Sequence, residues 1–219
     1  MKAKISKEEV NRMPVGTFEG KITLIEDELE VAAAIEELRK YPVVGIDTET
    51  RPSFTRGIHH KVALLQISSF NHCFLFRLNK IERSEKLFDF LANADVKKVG
   101  LSLRDDISGL SRRLLFKPQN FIDIQNIAQN YGILELSLQK IYAIVFGKKI
   151  SKTQRLTNWE NDELSEAQQI YAATDAWACL CIYSELQSKE KLTQKQLAEL
   201  LEEQANELAS KQIMQINER

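Results

Sequence analysis

Apolar residues recur along this chain with two different patterns of spacing. Each pattern predicts one kind of secondary structure. Short runs rich in apolar and β-branched residues predict strands at 21–25, 43–47, 61–69, 73–76 and 97–101. Apolar spacings of three and four residues predict amphipathic helices at 27–40, 82–91, 107–116, 122–131, 137–146, 165–187 and 193–214. Early strands, interleaved helices and a helical second half together predict a single α/β domain.

The two ends of the chain differ in composition from its middle. Residues 1–20 are polar and include Pro14 and Gly16, which predicts a flexible N-terminal arm. We expect the main domain to occupy residues 21–187. Residues 188–219 are rich in Gln, Glu and Lys and predict a C-terminal helical extension. Its leucine stripe can pack either on the domain or on a second subunit.

Composition narrows the class of protein. Hydrophobic residues at 43% and charged residues at 28% exclude a wholly disordered chain. No apolar run approaches the length of a transmembrane helix, and the first residues are too polar for a signal peptide. Three cysteines without CxxC spacing indicate free thiols in a reducing cytoplasm. The formal charge of −1 gives no global attraction to nucleic acid, so any such binding depends on a local patch.

Two carboxylates stand at the end of the strand predicted at 43–47. Asp47 and Glu49 are two residues apart, so their side chains project from the same face of an extended chain. Two like charges ~4 Å apart repel by about 4 kcal/mol at an effective dielectric of 20. Such a pair needs a cation or a metal ion beside it. A solvated strand end entering a loop explains these two residues equally well.

A tyrosine and an aspartate share one face of the helix predicted at 165–187. Tyr171 and Asp175 are four residues apart, so the phenol and the carboxylate can address the same site. Taken alone, an ordinary capped or paired aspartate is the simpler explanation of Asp175.

Two adjacent aspartates follow the strand predicted at 97–101. Asp106 shares its helical stripe with Leu110 and Leu114, which turns it toward the core. An aspartate aimed at the core needs a partner, and a metal ion is one. Asp105 lies on the polar stripe and is a candidate N-cap.

Three segments resemble the 3′–5′ exonucleases of the RNase D and Werner-exonuclease type, in the tyrosine-containing DEDD subgroup. They are VVGIDTE, KVGLSLRDD and NWENDELSEAQQIYAATDAWA, with KVALLQIS between the first two, and the resemblance covers residues 20–187. Asp47 and Glu49 match the first motif of this family, and Asp106 matches the second. Tyr171 and Asp175 match the third. The resemblance implies a ribonuclease-H-like mixed β-sheet flanked by α-helices.

The resemblance also implies phosphodiester hydrolysis with two divalent cations. Four carboxylates and two divalent cations balance in charge, and hard oxygen ligands suit Mg²⁺ or Mn²⁺. In this family Asp47 would bridge the metals, and Glu49 and Asp175 would serve the water-bearing site. Asp106 would serve the leaving-group site, and Tyr171 would position the water. An unperturbed phenol has a pKa near 10, which argues against Tyr171 as the base.

A basic segment lies just before the tyrosine helix. Residues 136–159 contain no acidic residue. The basic residues there are Lys140, Lys148, Lys149, Lys152 and Arg155. This local charge can hold the phosphate backbone of a strand, although a solvated basic face is the alternative. Phe54, in the loop after the first carboxylates, is a candidate for stacking on the terminal base, and an ordinary loop residue is equally consistent with its position.

We therefore expect a metal-dependent 3′–5′ exonuclease acting on single-stranded or recessed 3′ ends of DNA or RNA. One alternative is a nucleic-acid-binding module whose nuclease site is inactive. The complete set of Asp47, Glu49, Asp106, Tyr171 and Asp175 counts against it, because a decayed site loses ligands. The other alternative is an RNase D-like enzyme that processes RNA 3′ ends.

Overall fold

A six-stranded sheet between two layers of helices forms the centre of the computed structural model, which describes residues 1–55, 57, 60–81 and 84–217. The strands are β1 (Lys21–Ile25), β2 (Val43–Thr50), β3 (Val62–Ser68), β4 (His72–Arg77), β5 (Lys97–Gly100) and β6 (Phe121–Asp123). The helices are α1 (Lys7–Arg12), α2 (Glu28–Leu38), α3 (Glu85–Ala92), α4 (Leu103–Ser111), α5 (Ile124–Ala128), α6 (Leu138–Phe146), α7 (Glu166–Gln187) and α8 (Gln194–Asn217).

The sheet is mixed, with the strand order β1-β4-β3-β2-β5-β6. Strand β3 runs antiparallel to β2 and β4, whereas β1–β4, β2–β5 and β5–β6 are parallel pairs. This arrangement confirms the predicted fold class. Because β2, β5 and β6 run in the same direction, their C-terminal ends lie along one edge of the sheet.

Alternation along β2 sends its side chains to two different helical layers. Val44 and Ile46 join the core cluster that includes α2, α3 and α4. Gly45 faces α7 on the other side, where a Cβ atom would collide with the carbonyl oxygen of Ala176. The missing side chain therefore lets α7 lie directly against β2, which brings the helix close to the carboxylates that follow Gly45.

The N-terminal residues carry helix α1 and contact the domain at a few buried positions, and the flexible arm predicted at residues 1–20 stays a prediction. Ser6 caps helix α1 through a capping box with Glu9. Ile5 and Val10 are buried in a small cluster with Ala143 of α6. The polar composition of this segment predicts exposure, but its few apolar residues are enough to attach it to the domain.

Helix α8 covers most of the segment in which the sequence predicts a helix at 193–214, and Glu218 and Arg219 lie outside the described residues. The approach to α8 is attached to the domain, since the Leu192 amide donates to the Asn130 carbonyl at 2.8 Å. The boundary at residue 188 stays a prediction. Within the described ranges, no helix combines the length and apolar character needed to cross a membrane.

Two predicted helices have different boundaries in the structure. The helix predicted at 122–131 is strand β6, followed by α5 and a 3-10 turn at Gln129–Tyr131. A three-residue strand is too short to show alternation, so its two apolar residues resemble the start of the next helix. The helix predicted at 107–116 is α4, which starts earlier and ends at Ser111. The start of the helix predicted at 82–91 falls on residues 82 and 83, which are outside the described residues.

Candidate active site

Three carboxylates meet where β2 lies against α7. Asp47 and Glu49 alternate with Gly45 on the face of β2 that α7 covers, and Asp175 comes from α7 itself. One oxygen from each of these three carboxylates lies within 4.8 Å of the other two. The structure therefore brings together three of the four predicted carboxylates as one group.

Helix α7 also holds Tyr171 one turn before Asp175. The ring of Tyr171 is buried and packs against the buried indole of Trp159, with ring centroids 5.9 Å apart. Its hydroxyl lies close enough to the Asp175 carboxylate for each group to shift the pKa of the other. Burial raises the pKa of Tyr171 well above its ordinary value, and the charges of Asp175 and Glu49 raise this pKa further. The phenol therefore keeps its proton and acts as a hydrogen-bond donor.

Asp106 lies beside this group and is held from the other face of β2. It sits in the first turn of α4 and accepts a hydrogen bond from the Thr48 hydroxyl. Among the described residues, its oxygens are not part of the group of three that lies within 4.8 Å. Asp106 is half-buried whereas Asp105 is exposed, which is the orientation that helical periodicity predicts.

The start of α4 corrects the suggestion that Asp105 is its N-cap. Ser102 is the N-cap and has a left-handed backbone conformation with φ of 60° and no capping bond from its own side chain. The Asp123 carboxylate, from the end of β6, instead accepts hydrogen bonds from the Ser102 and Leu103 amides at 3.0 and 2.9 Å. Sequence reasoning missed Asp123 and Thr48. Their position near the C-terminal ends of β2 and β6, which run in the same direction, is the signal that identifies them.

The carboxylates of the site resist ionisation in the absence of a cation. Burial raises the pKa of Asp47 far above its ordinary range, and the charges of Asp106, Asp175 and Glu49 raise this pKa further. Burial likewise raises the pKa of Glu49 to about 9, of Asp175 to about 7 and of Asp106 to about 6. Such a set requires either protons or bound positive charge.

The donor set fits hard divalent cations. All of the converging side-chain ligands are carboxylate oxygens, which suit Mg²⁺, Mn²⁺ or Ca²⁺ better than softer metals. Burial and mutual repulsion favour the protonated carboxyl groups in the absence of metal. A bound cation would offset the negative charge and allow these groups to lose their protons. The residues present therefore fit a divalent metal centre.

A family model for the 3′-5′ exonuclease domain matches residues 22–191, which is most of the chain. The chain belongs to the 3′-5′ exonuclease family. This finding confirms the family resemblance of the three carboxylate motifs.

Three relatives show how the exonuclease domain compares with known proteins. It is 34% identical over 150 residues to the mouse bifunctional 3′-5′ exonuclease/ATP-dependent helicase WRN, covering 66% of this chain and 11% of that protein. It is 32% identical over 162 residues to human exonuclease 3′-5′ domain-containing protein 2, covering 68% of this chain and 26% of that protein. The crystal structure of Escherichia coli RNase D, described as an exoribonuclease involved in structured RNA processing, superposes with a TM-score of 0.70. That match has 24% identity and covers 77% of this chain and 44% of RNase D, so it shows the fold.

The basic residues predicted to bind nucleic acid separate into two groups in the exonuclease domain. Lys152 lies close enough to Asp175 to lower the pKa of this carboxyl, and Arg155 does the same for Glu49. The side chain of Lys149 instead turns to the N-terminal segment, where its Nζ donates to the Asn11 carbonyl at 2.6 Å. Lys148 lines a separate cavity beside this segment. Only Lys152 and Arg155 of these four border the carboxylates.

Two clefts adjoin the carboxylates and meet at Arg155. The first has a volume of about 430 Å³ and includes Glu49, Asp106 and Arg112 in its lining. The second has a volume of about 290 Å³ and includes Tyr171 and Asp175. The cationic side chains at the rim of the clefts suit the binding of a polyanion. The carboxylates at the centre suit the binding of metal ions.

Two other positions singled out in the sequence do not line these two clefts. Phe54 is 86% exposed in the loop after β2. Lys140 forms an ion pair with Glu135 at 3.0 Å. The nucleic-acid-binding roles of all five predicted residues stay predictions: Phe54, Lys148, Lys149, Lys152 and Arg155.

Proposed function

We propose that this chain is a metal-dependent 3′–5′ exonuclease that hydrolyses phosphodiester bonds of DNA or RNA with two divalent cations, Mg²⁺ or Mn²⁺. The observation that carries this proposal is the convergence of Asp47, Glu49 and Asp175 oxygens within 4.8 Å, in a chain that matches the 3′-5′ exonuclease family over residues 22–191. Asp106 lies beside these three carboxylates, so Asp47, Glu49, Asp106 and Asp175 would together hold the cations. Bound there, two divalent cations supply activation of water and neutralisation of charge on the phosphoryl and leaving oxygens.

The chain's own side chains do the positioning. Tyr171 stays protonated and lines the same cleft as Asp175, so its hydroxyl can hold the attacking water by a hydrogen bond next to that carboxylate. Thr48 fixes the orientation of Asp106 from the neighbouring face of the strand. Lys152 and Arg155 lie where they can bind the phosphates of the entering strand.

The proposed partner is a single-stranded or recessed 3′ end of a nucleic acid. The names of two relatives support it, since one is a 3′-5′ exonuclease joined to a helicase and the other is an exoribonuclease. The basic rim of the two clefts supports it independently. A nucleic-acid-binding module with an inactive site and an RNase D-like RNA-processing enzyme are the alternatives that the assay below separates.

A cytoplasmic location is part of the same proposal. All three cysteines are free thiols, with Cys73 and Cys179 buried in the core and Cys181 half-buried. Free thiols are typical of proteins that fold in a reducing compartment. Because two of the three are buried, their oxidation would require the core to open.

One digestion experiment tests the proposed activity. Matched DNA and RNA oligonucleotides, labelled at the 5′ end and either single-stranded or with a recessed 3′ end, are incubated with Mg²⁺, Mn²⁺ or EDTA. We expect ladders that shorten from the 3′ end with either metal, no cleavage in EDTA, and no cleavage by Asp47→Asn. Cleavage of RNA alone identifies the RNA-processing alternative. Binding without cleavage under any metal condition refutes the proposed activity, and full cleavage in EDTA refutes the metal mechanism.

A further inference from the structure

The side chain of Gln66 is buried in the sheet without any hydrogen bond. It lies in β3 with 0% of its surface exposed. Neither its carboxamide nitrogen nor its carboxamide oxygen has a hydrogen-bond partner among the described residues. Buried polar groups are hydrogen-bonded in the large majority of protein structures, so an unpartnered carboxamide requires an explanation.

The strand register places Gln66 directly opposite Asp47. These two residues are paired across the antiparallel strands β2 and β3. Directly opposed residues share one face of a sheet, with Cβ atoms about 4.5–5.5 Å apart. The pairing of Leu64 with Glu49, and the packing of Leu64 in the cluster that includes Tyr171, confirm that this face of β3 points to α7. The carboxamide is therefore within reach of the Asp47 carboxylate.

Three other neighbours of Gln66 on this face make no hydrogen bond with its carboxamide. Leu64 lies two residues before it along β3, and Leu75 is opposite it on β4, and both are apolar. Ser68 lies two residues after it, and its hydroxyl already donates to the Ser69 carbonyl at 2.7 Å. Asp47 is the one ionisable side chain among these four neighbouring positions.

We propose that Gln66 is a positioning residue for Asp47, and this inference rests on the proposed metal-dependent function. When Asp47 is ionised and binds metal, the carboxamide N–H of Gln66 donates a hydrogen bond to its carboxylate and fixes the orientation of the ligand. Carboxylates that bind metals are commonly held by such outer partners, whose loss lowers metal affinity by about 10–100-fold. A glutamine suits this role because it donates without adding another negative charge to the four carboxylates.

The test compares Gln66→Met with the wild-type protein and with a matched control, Ser68→Ala. Methionine has the length of glutamine and lacks hydrogen-bonding groups. Ser68→Ala removes a buried polar group from the same strand and the same face, at a position opposite Gly45 rather than a carboxylate. Binding of Mn²⁺ alone is measured by electron paramagnetic resonance of the free ion, and stability without metal is measured by calorimetry in EDTA.

We expect Gln66→Met to weaken Mn²⁺ binding by about 10–100-fold, whereas Ser68→Ala leaves the binding unchanged. The melting temperature of Gln66→Met in EDTA should equal or exceed that of the wild type, because the substitution removes an unpartnered carboxamide. At saturating Mn²⁺ the turnover number should recover, with the KM for the oligonucleotide unchanged throughout.

Wild-type affinity for Mn²⁺ in Gln66→Met overturns the inference. A lower melting temperature in EDTA combined with wild-type Mn²⁺ affinity overturns it as well, since it shows a purely structural role. If Gln66→Met fails to fold, Gln66→Asn is used instead, because it retains a carboxamide on a side chain that is shorter by one methylene. The inference then requires the same loss of Mn²⁺ affinity in Gln66→Asn. Absence of Mn²⁺ binding by the wild type is a failure of the proposed function itself, which keeps the two failures distinguishable.

Discussion

Neutralising Lys152 and Arg155, which border the carboxylates, should weaken the salt dependence of nucleic-acid binding. Neutralising the neighbouring Lys148 and Lys149 should leave this dependence unchanged. Lys152 and Arg155 lower the pKa of Asp175 and of Glu49, so both lie next to the site. Lys148 and Lys149 belong to the same segment but face the N-terminal residues. Lys152→Gln/Arg155→Gln and Lys148→Gln/Lys149→Gln remove the same charge and therefore form a matched pair of variants.

The size of the effect follows from the number of phosphates that the protein neutralises. Each phosphate of a single strand that a cationic side chain binds contributes about 0.7 to the slope of log affinity against log salt. Replacing Lys152 and Arg155, with one phosphate bound by each, should flatten this slope by about 1.4. From about 50 mM to about 200 mM salt, the wild type should therefore lose about sevenfold more affinity than the Lys152→Gln/Arg155→Gln variant. The slope of Lys148→Gln/Lys149→Gln should equal that of the wild type.

Fluorescence anisotropy of a labelled single-stranded oligonucleotide measures these slopes. The variants are made on an Asp47→Asn background, so that the oligonucleotide is not degraded during the titration. Equal slopes for the two double variants would refute the assignment of Lys152 and Arg155 to the path of the strand. If only Lys148→Gln/Lys149→Gln flattened the slope, the strand would instead follow the cavity beside the N-terminal segment.

Two further predictions concern the carboxylates. Because burial raises the pKa of Glu49 from 4.5 to about 9 and of Asp175 from 3.8 to about 7, their protonated forms stabilise the fold. This stabilisation is complete below those ordinary values and is lost as the pH rises through the raised ones. Calorimetry in EDTA should show a melting temperature that falls between about pH 5 and about pH 9, with a smaller fall in Mn²⁺, and a flat profile in EDTA contradicts the argument. Asp106→Asn should slow single-turnover cleavage by at least about a hundredfold, whereas Asp105→Asn should not, and the reverse result would exchange their roles.

Long elements with a clear period could be predicted from the sequence, and so could the residues that the family motifs mark. The strand at 43–47 and the helix at 165–187 have many apolar positions, so their periods are clear and both are present as β2 and α7. Periodicity alone also orients Asp106 inward and Asp105 outward. These features depend on neighbours within one element, which the sequence contains directly.

Features that depend on packing between distant segments could not be predicted in this way. Helix α1 is held through the burial of Ile5 and Val10 against α6, more than a hundred residues later in the chain. Strand β6 is defined by its pairing with β5, since three residues carry no period of their own. The basic residues from 148 to 155 form one patch in the sequence, but the N-terminal segment takes Lys149 away from the carboxylates.

The cap of α4 links the edge of the sheet to the charge of the site. A helix N-terminus ordinarily stabilises nearby negative charge through its free amides, and Asp106 lies in the first turn of α4. Here Asp123 accepts hydrogen bonds from the amides of Ser102 and Leu103, and its own charge helps to raise the pKa of Asp106. The cap thus sets the residue at which α4 starts, and therefore which residue of its first turn, Asp106, faces Thr48. It also adds the negative charge of Asp123 near the site. Burial raises the pKa of all four carboxylates, and Lys152 and Arg155 lower only those of Asp175 and Glu49. The proposed cations would therefore supply positive charge that the fold itself does not provide at Asp47 and Asp106.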